Sequence, residues 1–111
     1  MKPVGEGERI VINLDEIEFE PFINSRGEAD GLAFQLDRDK RLGTGFHIYK
    51  MEPGYTTIPH QHQGNEEFFI ISGDLTDNDG TVYRAGDLVL MKVGTQRCSH
   101  TESGCVIGVY I

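Results

Sequence analysis

The stretch Gly54-Tyr55-Thr56-Thr57-Ile58-Pro59-His60-Gln61-His62-Gln63-Gly64-Asn65-Glu66-Glu67-Phe68-Phe69-Ile70-Ile71-Ser72-Gly73 carries two histidines and a carboxylate within seven residues. Side chains of an extended chain repeat every second residue, so His60 and His62 point to the same side and both imidazoles can meet one ion. Gly64 and Asn65 permit a turn that brings Glu66 back from the following strand. Two imidazoles and a carboxylate on one face form a donor set with open coordination positions. Iron, zinc, manganese and nickel all accept such ligands, and one divalent metal ion is the expected cofactor.

Outward from this stretch, short runs rich in Val, Ile, Phe, Tyr and Thr alternate with turns built from 14 glycines and four prolines. The runs predict strands over 9–14, 17–22, 31–36, 45–51, 66–72, 82–84, 87–92 and 105–111. Turns are expected at Glu52-Pro53-Gly54, Ser72-Gly73-Asp74, Asn78-Asp79-Gly80 and Ala85-Gly86-Asp87. No helix of useful length is expected. An all-β antiparallel sandwich or barrel follows, in one domain spanning residues 1–111, with N-terminal strands in 1–40 and the barrel proper in 41–111.

Charge narrows the partners. Eighteen acidic and ten basic residues leave a net charge of −8, which repels phosphate backbones and anionic lipid. Nucleic acid and membrane are therefore not expected partners. The N-terminal residues lack the apolar run of a secretory signal, and a cytoplasmic location is expected. The two cysteines, Cys98 and Cys105, form no CxxC pair and read as reduced thiols.

The stretch from Gly54 to Gly73 is similar to the first cupin motif, G-x5-H-x-H-x3-E-x6-G, and Gly54, His60, His62, Glu66 and Gly73 meet each fixed position. With Asp77-Asn78-Asp79-Gly80, Tyr83-Arg84-Ala85-Gly86-Asp87 and Ser103-Gly104-Cys105, residues 16–111 resemble the ChrR-like cupins, named for the metal-binding domain of an anti-sigma factor and related to cupin dioxygenases. The resemblance implies a double-stranded β-helix, or jelly roll, with a metal inside the barrel.

The second cupin motif departs from the family. Lys92 stands where Pro is usual and Arg97 where the fourth ligand, a His, is usual. A guanidinium stays protonated and has no lone pair for a metal. One alternative is that His100 supplies the fourth ligand. Another is that the ion keeps three protein ligands and Arg97 pairs with the carboxylate of a bound substrate or with a nearby acid. A third is that the site has lost its metal.

Alternation before Gly54 places His47, Tyr49 and Met51 toward the interior, and Phe68 shares a face with Glu66, so these four are expected to line a substrate pocket with Arg97. The strand after Glu66 is apolar on both faces. Its outer residues Phe69 and Ile71 need cover, from the N-terminal strands or from a second subunit, so a homodimer is expected. Three functions remain open: a metal-dependent dioxygenase-type oxidoreductase acting on a small organic anion, a metal- or ligand-sensing regulatory module, or a protein with a degenerate site. The chain shows no helical sigma-binding segment, which counts against the second.

Overall fold

The computed structural model describes residues 1–111 and contains ten strands, all paired antiparallel, one 3-10 turn at Leu14–Glu16 and no α-helix. The strands are β1 (Glu20–Ile23), β2 (Ala29–Phe34), β3 (Phe46–Met51), β4 (His60–Gln61), β5 (Glu66–Asp77), β6 (Val82–Arg84), β7 (Leu88–Met91), β8 (Gln96–Arg97), β9 (Ser99–His100) and β10 (Cys105–Tyr110). The order β1-β2-β3-β10-β5-β6 forms the main sheet, with β7 and β9 also on β5, and β4 pairs β8 as a separate ladder. The result is a jelly-roll barrel.

Strand β5 is the element both halves share. Its first half pairs β10 and β7, and its second half pairs β6 and β9. The expected turn at Ser72-Gly73-Asp74 does not form, and the strand bends through it instead. Ser72 is opposite Val106 and Ile70 opposite Ile107, so Ile71 is an extra residue in the ladder. Gly73 follows with φ +86°, and a Cβ there would lie 1.9 Å from the Gly104 carbonyl oxygen. Only glycine permits that approach, so Gly73→Ala must displace backbone.

Beyond the bulge the inward face changes parity: Glu66, Phe68 and Ile70 are buried before it, Leu75 and Asp77 after it. Met51, Phe68, Ile70, Leu75, Cys105, Ile107 and Val109 form the core between the sheets. Each large side chain fully buried there contributes ~1.5–3 kcal/mol.

The expected strand over residues 9–14 is absent. These residues have no neighbouring strand in their own chain, and Asn13 instead caps the 3-10 turn by accepting a hydrogen bond from the Asp15 amide at 2.8 Å. The next strand begins at Glu20 rather than Ile17, and it lies at the sheet edge, where Pro21 is tolerated. The N-terminal strands β1 and β2 extend the sheet beyond β3, so they do not cover Phe69, which stays 42% exposed. No helix is long and apolar enough to cross a membrane.

Candidate metal centre

Strand β4 presents His60 and β5 presents Glu66, with His62 on the turn between them. Ligand-capable atoms of the three residues lie within 4.8 Å of one another. The Nε2 atoms of His60 and His62 are 3.2 Å apart, and His62 Nε2 is 3.0 Å from Glu66 Oε2. Adjacent ligands at ~2.1 Å from one ion are separated by roughly 3.0–3.4 Å, so both spacings fit a shared cation. The proton count agrees. His60 donates its Nδ1 hydrogen to the Ile58 carbonyl at 3.1 Å, which leaves its Nε2 as a lone pair. Two acceptors, His60 Nε2 and Glu66 Oε2, then flank His62 Nε2, whose single hydrogen can serve only one of them. A cation satisfies that arrangement better than a shared hydrogen.

Arg97 is opposite His60 in the β4–β8 ladder and is buried. Its Nη2 donates to Glu66 Oε1 at 3.2 Å, and its Nη1 reaches both Asp77 oxygens at 2.9 and 3.1 Å. Asp77 also accepts from the Ser99 hydroxyl at 2.5 Å and the Tyr83 hydroxyl at 2.7 Å. The guanidinium stacks 4.7 Å from the Phe68 ring centroid. Both terminal nitrogens of Arg97 are thus engaged inside the protein, while its Nε is buried without a partner.

Burial by itself would raise the Glu66 pKa. The His62 hydrogen bond and the Arg97 and histidine charges outweigh it, so the carboxyl lies below its usual range. Arg97 occupies one oxygen and leaves the other to His62 and to any ion. His62 Nδ1 is buried without a partner, a departure from metal-binding histidines whose second nitrogen is tied down.

His100 lies elsewhere. Its Nδ1 meets Thr56 Oγ1 at 2.7 Å and its Nε2 meets Glu102 Oε1 at 3.0 Å, so both ring nitrogens have other partners and neither joins the cluster. His47 is buried, donates Nδ1 to the Gly45 carbonyl at 3.0 Å, and has its pKa lowered by burial. The Tyr49 hydroxyl is committed to the Asp30 carbonyl at 2.7 Å, and Met51 and Phe68 belong to the core. An open depression of about 400 Å³ at the mouth is lined by Pro59, His60, Gln61, Asn78, Gln96 and Arg97. It gives access to the ligand cluster from solvent.

Asp77, Tyr83 and Ser99 were not legible as site residues. Asp77 directly precedes the expected turn Asn78-Asp79-Gly80, and only the bulge at Ile71 turns it inward.

A family model described as the ChrR cupin-like domain matches residues 7–110. No curated protein matches the chain. Among solved structures, a cupin-2 domain protein from Shewanella frigidimarina superposes with a TM-score of 0.52 at 20% identity, covering 58% of this chain and 65% of that one. The Rhodobacter sphaeroides complex of SigE with the anti-sigma ChrR gives 0.67 at 14% identity, over 87% of this chain and 50% of that one. A predicted oxalate decarboxylase from Thermotoga maritima gives 0.63 at 24% identity, over 90% and 96%. The chain therefore spans less than two thirds of the first of these and half of the second. At such identities the likeness establishes the fold alone.

Proposed function

The chain belongs to the ChrR cupin-like family, and from that premise we propose that it is a single-metal protein in which His60, His62 and Glu66 hold one divalent ion. The remaining coordination positions are left to a small organic ligand. The observation that carries the proposal is the convergence of three ligand-capable atoms at 3.2 and 3.0 Å spacings around one point. Iron, zinc, manganese or nickel suits the donor set. A bound ion supplies Lewis acidity to an oxygen donor and, as iron, one-electron chemistry with dioxygen.

The activity this supports best is that of a metal-dependent oxidoreductase of dioxygenase type. Glu66, Asp77 and Arg97 together carry one net negative charge, so a divalent ion makes the cluster net positive by one. A small anion such as a carboxylate or enolate neutralises it. Arg97 holds Glu66 to one free oxygen, and in place of a fourth ligand it leaves an additional position open. The opening by which such an anion would enter is lined by His60, Gln61, Asn78, Gln96 and Arg97, while Met51 and Phe68 belong to the core.

Elemental analysis of the purified protein tests the metal, with the His60→Ala/His62→Ala variant as control. The variant is expected to fold and to carry no metal. Wild-type metal content in that variant overturns the ligand assignment. Oxygen uptake with β-dicarbonyl compounds then separates the enzyme from a second reading, a metal- or ligand-sensing module, which membership of the ChrR cupin-like family motivates. Metal binding without turnover of any such compound favours the sensor.

A further inference from the structure

We propose that Asp77 is a positioning residue for the ion. It hydrogen-bonds to none of the three ligands, yet it holds Arg97 to one oxygen of Glu66 and so keeps the other oxygen for the metal, a role that rests on the reading of His60, His62 and Glu66 as ligands.

Arg97 divides its guanidinium between two acids. Nη1 donates to Asp77 Oδ1 at 2.9 Å and Oδ2 at 3.1 Å, while Nη2 donates to Glu66 Oε1 at 3.2 Å. Nε is buried without a partner. Nε and Nη2 form one edge of the planar guanidinium, and such an edge closes on a carboxylate through two parallel hydrogen bonds. Here that edge is half used, and its unfilled donor is next to the one from which Glu66 already accepts. The oxygen that a closed edge would take is Oε2, which lies 3.0 Å from His62 Nε2 on the side of the ligand cluster. Arg97 and an ion are therefore rivals for the same atom.

Asp77 keeps the edge open. Its carboxylate is buried and anchored, with the Ser99 hydroxyl on Oδ1 at 2.5 Å and the Tyr83 hydroxyl on Oδ2 at 2.7 Å. Its backbone is fixed as well, opposite Ser99 in the β5–β9 ladder, with its amide donating to the Thr81 carbonyl and its carbonyl accepting from Gly80, each at 2.9 Å. A guanidinium gripped at Nη1 by so fixed a partner does not turn toward Glu66. Without the Asp77 carboxylate, Nη1 keeps only the Ser99 hydroxyl at 3.3 Å, and Glu66 becomes the sole counter-charge of a buried cation. Burial penalises a charge that is incompletely paired, so the edge closes.

Charge alone would also weaken the ion when Asp77 is removed, so geometry has to be separated from charge. Lysine does this at position 97, because an ammonium keeps the positive charge and has no second edge.

Zn²⁺ affinity of the full-length chain, measured by competition with a chelating dye, tests the role in a cycle of Asp77→Asn, Arg97→Lys and both together. Asp77→Asn should weaken Zn²⁺ binding ~10–100-fold, the range for partners that orient metal ligands. The same change made on Arg97→Lys should cost at least ~5-fold less. In NMR spectra of the metal-free protein, the Arg97 Nε–H resonance should move downfield in Asp77→Asn as that hydrogen gains an acceptor. Circular dichroism checks the barrel, and Asp77→Ser replaces Asp77→Asn if the latter does not fold. Equal losses on Arg97 and on Arg97→Lys overturn the proposal, because Asp77 would then act on the ion by charge. Unchanged affinity in Asp77→Asn, or an unmoved Nε–H resonance, overturns it too. Each of those results leaves the three ligands standing, whereas a wild type that takes up no Zn²⁺ overturns the ligand reading and this role with it.

Discussion

The two faces of β5 differ more than their sequences do. Glu66, Phe68 and Ile70 face inward and are buried, while Glu67 and Phe69, each one residue away, are exposed. Every charge on the inner side is answered by a partner from another element: Glu66 by Arg97 of β8, and Arg97 by Asp77 at the far end of β5. The outer side has apolar residues and no partner. A buried charge must be paired within its own chain, or the desolvation cost is unrecovered. An uncovered apolar face carries no such obligation until a second surface arrives. The inner face therefore reports on folding and the outer face on association.

The largest expected effect breaks the inner side. Asp77→Ala leaves Arg97 buried with one counter-charge and should cost ~3–5 kcal/mol in urea unfolding. Replacing all three partners, as in Glu66→Gln/Asp77→Leu/Arg97→Met, should cost less than the single change, because no charge is then stranded. A triple variant less stable than Asp77→Ala would show that the network stabilises in its own right.

Metal comes next. At a free concentration one hundred times its dissociation constant, a bound ion adds ~2.7 kcal/mol. For a domain this size that raises Tm by roughly 10 °C, and the rise should vanish in His60→Ala/His62→Ala. Chelation that leaves the wild-type Tm unchanged would point to an empty site.

Acid should weaken the inner side in two stages. Burial lowers the His47 pKa below 6.5, so the unfolded chain takes up that proton first and stability falls as pH drops through 6.5. Glu66 has its pKa lowered below 4.5, so its contribution is present above 4.5 and is lost as pH falls through its folded value. His47→Asn should flatten the first stage in Tm measured from pH 7.5 to 5. An unaltered profile would assign that stage to another group.

The smallest effect belongs to the outer side. Leu88, 82% exposed, should tolerate Thr with a change in monomer stability within ~0.5 kcal/mol. A loss comparable to that of Asp77→Ala would erase the distinction between the faces.

His60, His62 and Glu66 were legible because their spacing acts locally: two alternate residues on an extended segment, a short turn, and the first residue of the next strand. Asp77 was hidden because its direction depends on a single extra residue at Ile71, which no periodicity announces, and a one-residue slip turns every later side chain to the other face. Gly73 signalled a turn for a sound reason, its positive φ, yet the demand it meets is close approach to Gly104 from a distant strand. The 9–14 run shows the same limit. Its strand propensity is plain, but a strand exists only where a neighbour completes it, and its own chain supplies none.

The β4–β8 ladder is two residues long and stands apart from the eight-stranded sheet, joining His60 to Arg97 and Gln61 to Gln96. Strand β5, paired on both sides, opens only when the whole barrel opens, so the Phe68 and Ile70 amides should exchange their hydrogens at the rate set by global unfolding. A two-residue ladder opens far more cheaply. Amide protection at Gln61 and Gln96 should accordingly be low, and ligand escape from the pocket should keep pace with the fraying of this short ladder while the barrel stays closed.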